Sequence, residues 1–86
     1  EVPLPSGRRL DALSWNGNWA TEVETSGDIE LMKLAAERLR ESGAPQKVLK
    51  VPHRYMMRAA VALRMMGLSA WVRNMHGTSE LFVKIG

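Results

Sequence analysis

The chain contains no cysteine, which excludes disulfide bonds, thiolate metal ligands and a cysteine nucleophile. The absence also favours a reducing, cytoplasmic compartment. No apolar run approaches the roughly 20 residues of a membrane-spanning helix, so no membrane partner is expected. The chain also lacks a glycine-rich phosphate loop and a serine–histidine–aspartate arrangement, and those chemistries are set aside.

What remains is the composition of a folded globular domain, with 45% hydrophobic and 24% charged residues. At 86 residues we expect a single domain spanning 1–86. Residues 1–8 contain Pro3, Pro5 and Gly7 and are predicted to form an irregular lead-in. Because the chain begins with Glu1, we expect it to be processed or excised from a longer protein.

The net charge of +3 is unevenly distributed along the chain. Residues 1–42 carry five basic and eight acidic side chains, a balance of −3, whereas residues 43–86 carry seven basic side chains against Glu80 alone, a balance of +6. The basic half suits an anionic partner such as nucleic acid. Arg54 and Arg58, one helical turn apart, are candidate phosphate contacts together with Lys50, the alternative being a solvated polar face.

The strongest local signal is Asn16-Gly17, which separates two strand-like runs at residues 9–15 and 18–24. This pair is favoured in two-residue type I′ hairpin turns, in which both central residues have positive φ. The register that follows pairs position 13 with 20 and position 11 with 22. It places three carboxylates on one face of the hairpin: Asp11, Glu22 and Glu24.

The opposite face of the hairpin is apolar. Trp19 shares this face with Leu10, Ala12 and Val23, so we expect it to pack on the helices and Trp19 to be a core residue. Trp15 lies on the carboxylate face, where it either stacks on a base or covers the hairpin end.

The carboxylate face needs a counter-charge, because like charges directly opposite in a sheet repel each other. Asp11 opposite Glu22 is such a pair. One candidate is Arg9, which the register places opposite Glu24. The other is Mg²⁺, which takes oxygen ligands and keeps several waters, so that two carboxylates suffice to hold it.

Beyond the hairpin, apolar residues at helical spacing predict helices over 28–42 and about 53–66, the first capped by Thr25 or Ser26. Short β-branched or apolar runs predict strands over 47–51, 69–74 and 80–85. The fold class is therefore α/β, a small mixed sheet in ββ-α-β-α-ββ order. The strands joined through helices are expected to be parallel.

Asp11, ten intervening residues and Glu22-Val23-Glu24, with helix, strand and helix after them, resemble the PD-(D/E)xK nuclease superfamily. The resemblance covers residues 9 to about 70. It implies a metal-dependent nuclease in which Asp11 and Glu22 ligate Mg²⁺ and, with Glu24, form the catalytic set that hydrolyses a phosphodiester of DNA.

Glu24 stands where the family motif has lysine, a change that some members carry and that also marks inactive relatives. Catalysis therefore stays open. The alternative is a non-catalytic interaction or regulatory module of the same fold that binds protein or nucleic acid. A third interpretation is a small βαβ-type binding domain without nucleic acid.

Overall fold

A five-stranded mixed sheet with order β3-β4-β5-β6-β7 organises residues 1–86, all of which the computed structural model describes. The inner strands β4, β5 and β6 are parallel, and β3 and β7 join antiparallel at the two edges. This confirms the predicted α/β class and element order. The strands are β1 (Val2–Pro3), β2 (Arg9–Leu10), β3 (Ala12–Leu13), β4 (Trp19–Val23), β5 (Gln46–Val51), β6 (Ala70–Asn74) and β7 (Glu80–Val83), and the helices are α1 (Ile29–Glu41) and α2 (Met56–Met66).

Both helices pack against one face of this sheet. Two consecutive crossovers in the same direction place their helices on the same side, because nearly all such connections are right-handed. The helices also contact each other, so the sheet has one covered face and one open face. The largest fully buried residues of the covered face come from both layers: Leu10, Met32, Leu39, Leu49, Leu63, Val51, Val72 and Val83.

The predicted ends of both helices need small corrections. Asp28 caps α1, and its carboxylate accepts from the backbone N–H groups of Glu30 (2.8 Å) and Leu31 (3.4 Å). The predicted cap at Thr25 or Ser26 is wrong, because Ser26 Oγ instead accepts from the Asp28 N–H. A single 3₁₀ turn, His53–Tyr55, precedes α2. Neither helix has the length and apolar character to cross a bilayer.

The predicted irregular lead-in contains a strand. β1 pairs antiparallel with β2 as a separate ribbon, with Val2 opposite Leu10. Leu10 is fully buried and ties the ribbon to the core. At the other end of the ribbon, Ser6 Oγ donates to Glu41 Oε1 (2.8 Å) at the end of α1.

The hairpin turn differs from the predicted type I′ geometry. Asn16 does not have positive φ, and Gly17 alone is left-handed in the turn, with φ of 75°. Gly17 N–H donates to Ser14 O (2.8 Å). Asn16 Oδ1 accepts from both Ser14 Oγ (2.8 Å) and Asn18 N–H (3.1 Å). The asparagine therefore serves through its side chain, which satisfies loop donors locally.

The predicted register is confirmed, since Leu13 is opposite Ala20, but the assignment of the faces is wrong. The helices cover the face of Ala20 and Glu22, and both are fully buried. Trp19 is on the open face and 41% exposed. Side chains alternate between faces along a strand, so an error of one position in the buried face exchanges core for surface.

We expect Asp28→Ala to lower the free energy of unfolding by about 1 kcal/mol, because two backbone donors of the first turn lose their acceptor. Urea denaturation of the whole chain measures the change. Thr25→Ala is the matched control, because Thr25 is exposed and its side chain makes no hydrogen bond, and it should have little effect. An equal loss in both variants would contradict the assignment of the cap.

Candidate functional site

Glu22 lies on β4 beneath α1, and its side chain is fully buried. Oε1 accepts from Arg38 Nε (2.6 Å), and Oε2 accepts from the Asp11 N–H (2.7 Å). Arg38 lies on α1 and its side chain is 26% exposed. The ion pair therefore joins the sheet to the first helix across the interior of the domain.

Asp11, just before β3, completes an exchange of hydrogen bonds with β4. The chain bends at Asp11, and its Oδ2 accepts from the Val23 N–H (2.8 Å). Each of the two carboxylates thus accepts a backbone N–H from the neighbouring segment, in place of the regular ladder between β3 and β4. The predicted crowding of Asp11 and Glu22 is real, and these N–H groups with Arg38 stabilise it.

The predicted pairing of Arg9 with Glu24 is wrong. Arg9 lies 3.8 Å from Glu1 across the small ribbon. Glu24 Oε2 accepts from the Ser26 N–H (2.9 Å), at the point where the chain leaves β4 for α1. Glu24 is thus held apart from the Glu22–Arg38 pair by its own local partner.

Burial raises the pKa of Glu22 above its usual range, and the hydrogen bond from the Asp11 amide and the pairing with Arg38 oppose this rise. Every buried side-chain nitrogen and oxygen has a hydrogen-bond partner. An ion pair between two layers, with its carboxylate fully buried and its hydrogen bonds satisfied, is the arrangement of a structural contact.

The Glu22 carboxylate already has partners other than a metal ion. Both of its oxygens accept hydrogen bonds, so a cation at Asp11 and Glu22 would compete with Arg38 for this carboxylate. No group of three or more histidine, aspartate or glutamate side chains is placed to hold a metal. The Mg²⁺ site stays a prediction, and Arg38 is the competing counter-charge.

The predicted phosphate contacts lie on two sides of the sheet. Arg54, in the 3₁₀ turn, has its guanidinium 4.7 Å above the ring centroid of Tyr55. Arg58 Nη1 donates to Gly27 O (2.8 Å), so both arginines lie at the carboxyl end of β5, beside the loop that leads into α1. Lys50 lies near the same end of β5 but on the open face.

The open face carries three aromatic residues, of which Trp19 was expected in the core and Trp71 and Phe82 had no predicted role. Trp71 on β6 is directly opposite Phe82 on β7, with ring centroids 5.1 Å apart and an interplanar angle of 58°. Trp19 is on the same face of β4. We call this surface the aromatic sheet face and define it by the outward-facing residues of β4 to β7: Trp19, Thr21, Val23, Gln46, Val48, Lys50, Trp71, Arg73, Glu80 and Phe82.

Trp15 is separate from this surface. It lies in the hairpin turn and is 98% exposed. It does not cover the hairpin end, and no neighbouring ring packs against it.

Comparisons with known protein families, with curated proteins and with solved structures find no match. The resemblance to the PD-(D/E)xK nucleases therefore rests on residue spacing and element order alone.

We expect Arg38→Met to lower the free energy of unfolding by about 3 kcal/mol at neutral pH, because ionised Glu22 is left buried without a counter-charge. Loss of Arg38 also raises the pKa of Glu22 further above its unfolded value. Between the two values the folded variant holds a proton that the unfolded chain has released, so its stability falls as pH rises through that window. Urea denaturation at about pH 4 and about pH 7 should show the smaller deficit in acid.

Lys33→Met is the matched control, because Lys33 lies on the same helix, its side chain is 27% exposed, and its partner Glu30 is a surface carboxylate 3.4 Å away. It should change stability by less than about 1 kcal/mol. The double variant Glu22→Leu with Arg38→Met should regain most of the loss, since an apolar pair replaces the buried charges. A deficit for Arg38→Met that does not vary with pH would refute the pairing.

A magnesium titration separates the two counter-charges. We expect the backbone amide signals of Asp11, Glu22 and Glu24 to stay unchanged at millimolar Mg²⁺, because Arg38 and backbone donors already hold these carboxylates. Two-dimensional NMR of the labelled chain measures this, with Glu37, a half-buried carboxylate of α1, as an internal reference. Saturable shifts confined to Asp11 and Glu22 would establish the metal site.

Proposed function

We propose that this chain is a non-catalytic nucleic-acid-binding module. The observation that carries the proposal is the set of basic side chains without acidic partners in residues 43–86. Of the seven basic residues there, only Arg73 forms an ion pair, with Glu80 at 3.1 Å. The other six have no carboxylate within 4.0 Å: Lys47, Lys50, Arg54, Arg58, Arg64 and Lys84.

The N-terminal half is organised differently. Four of its five basic residues, all except Arg8, lie in ion pairs. The basic side chains of residues 1–42 are thus mostly paired with acidic side chains, whereas those of residues 43–86 mostly lack such partners and keep their charge available for a ligand. Unpaired cations on β5, in the 3₁₀ turn, on α2 and just after β7 match the phosphates of a nucleic acid, which release counterions on binding.

A binding role needs no change in the hairpin carboxylates. A catalytic role through Asp11 and Glu22 would require Glu22 to give up Arg38 and gain access to solvent. The non-catalytic proposal keeps the buried pair as part of the scaffold and assigns recognition to the cations outside it.

We expect the chain to bind oligonucleotides at low salt with an affinity that falls linearly on a log–log plot against salt concentration. Lys50→Gln should weaken binding and reduce the slope by about one unit, because Lys50 is an unpaired cation. Fluorescence anisotropy of a labelled oligonucleotide over a salt series measures both quantities.

Lys33→Gln is the matched control, since Lys33 is neutralised by Glu30 and should leave the slope unchanged. Failure of the wild-type chain to bind any oligonucleotide at low salt would overturn the proposed function.

A further inference from the structure

The aromatic sheet face is open because the two crossover helices lie on the other side of the sheet. In register across four strands, Thr21, Val48, Trp71 and Phe82 form a row along this face. Trp19 lies two residues from Thr21 on β4 and points the same way. Three aromatic side chains are therefore presented on one face of the mixed sheet.

The rings are supported from below. Val48 is only 1% exposed although it lies on the open face and outside the core cluster. A valine on an uncovered sheet face is this well shielded only when larger neighbouring side chains lie over it. Trp71 is half-buried, whereas Trp19 is 41% and Phe82 46% exposed. The rings thus rest on an apolar floor and still offer ring surface to solvent.

The next row carries charge. Val23, Lys50, Arg73 and Glu80 follow one another in register across the same four strands. Lys50 and Arg73 are adjacent cations, and Glu80 pairs with Arg73 alone. Glu80 offsets the charge of Arg73, which leaves Lys50 as the unpaired cation of this row and the side chain on this face best placed to attract an anion.

We infer that the aromatic sheet face binds single-stranded nucleic acid, with unpaired bases stacked on Trp19, Trp71 and Phe82 and the backbone phosphates near Lys50. This inference rests on the proposed function and specifies its substrate. Aromatic platforms beside cations bind single strands because every unpaired base offers a ring face. Three rings suit a contact of about three nucleotides.

A duplex does not fit this surface. Its bases are stacked on each other and present only their edges in the grooves, so the three rings would find no base faces along the helix. A second copy of the chain fits poorly too. Two such faces packed together would bring the unpaired Lys50 of both copies into one interface, where like charges oppose association.

The test compares three labelled probes of about ten nucleotides by fluorescence anisotropy: a single-stranded DNA, an RNA of the same sequence and the corresponding blunt duplex. We expect at least one single strand to bind at least about ten-fold more tightly than the duplex, which is about 1.4 kcal/mol. The two single strands distinguish a DNA ligand from an RNA ligand of the same chemistry.

Trp19→Leu and Phe82→Leu should each weaken single-strand binding about ten-fold, because each removes a stacking ring. Trp19→Phe should restore most of the affinity, since it keeps a ring. Trp15→Leu is the matched control, because Trp15 lies outside the aromatic sheet face and should leave affinity unchanged. Far-UV circular dichroism and urea denaturation of each variant establish that the fold is retained.

Equal affinity for duplex and single strand, with Trp19→Leu and Phe82→Leu unchanged while Lys50→Gln weakens binding, would overturn base stacking and leave the proposed function intact. A dimer in sedimentation equilibrium that Phe82→Leu dissociates would overturn the inference in favour of a second copy on this face. Absence of binding to every probe would overturn both.

Discussion

The direction of the two crossover connections decides which residues of the sheet are buried. β4, β5 and β6 run parallel, so α1 and α2 both return over one face, and the other face stays without a covering layer. On β4 this buries Glu22 and exposes Trp19. A carboxylate in the interior needs a partner from the layer above it, and an aromatic residue on the open face remains available for contact. Both candidate sites therefore arise from the same topological constraint.

The Glu22–Arg38 pair is the consequence of that constraint in the interior. An isolated ionised carboxylate is strongly disfavoured inside a protein, and the fold supplies Arg38 from α1 together with the Asp11 amide. Such a pair adds little net stability compared with an apolar pair of the same size, but it fixes which α1 side chain lies over β4. We regard it as a contact that specifies the position of the helix. This accounts for the crowded hairpin carboxylates without catalysis.

Local chemistry was sufficient to predict much of this fold and insufficient to predict the candidate site. Asn16-Gly17 and the alternation around it determine the register of Leu13 with Ala20, and apolar spacing determines both helices. The identity of the buried face depends on where the helices pack, which is a long-range property that the hairpin alone does not contain. Trp19 was therefore assigned to the core and Glu22 to a solvent-facing metal site. Arg38 was missed because its partner is 16 residues away on another element. The right-handed crossover places α1 over the Glu22 face of β4, and Arg38 lies on the surface of α1. These two features together could have predicted the Glu22–Arg38 pair.

The distribution of ion pairs decides whether the charge difference between the two halves of the chain survives folding. A difference of charge between two halves of a chain says nothing by itself about recognition, because the halves could neutralise each other on folding. They do not do so here, because no ion pair joins the two halves. Four of the five ion pairs lie within residues 1–42, and the fifth, Arg73–Glu80, lies within residues 43–86. The acidic residues of α1 and the hairpin are engaged near their own elements, and the basic residues of β5 and α2 remain unpaired. The excess positive charge is therefore retained at the surface of the folded domain, and Lys50 places part of it directly beside the exposed rings.

Charge without the rings would attract any polyanion, and rings without charge would favour any apolar partner. Their juxtaposition on one sheet face is what favours a single-stranded nucleic acid.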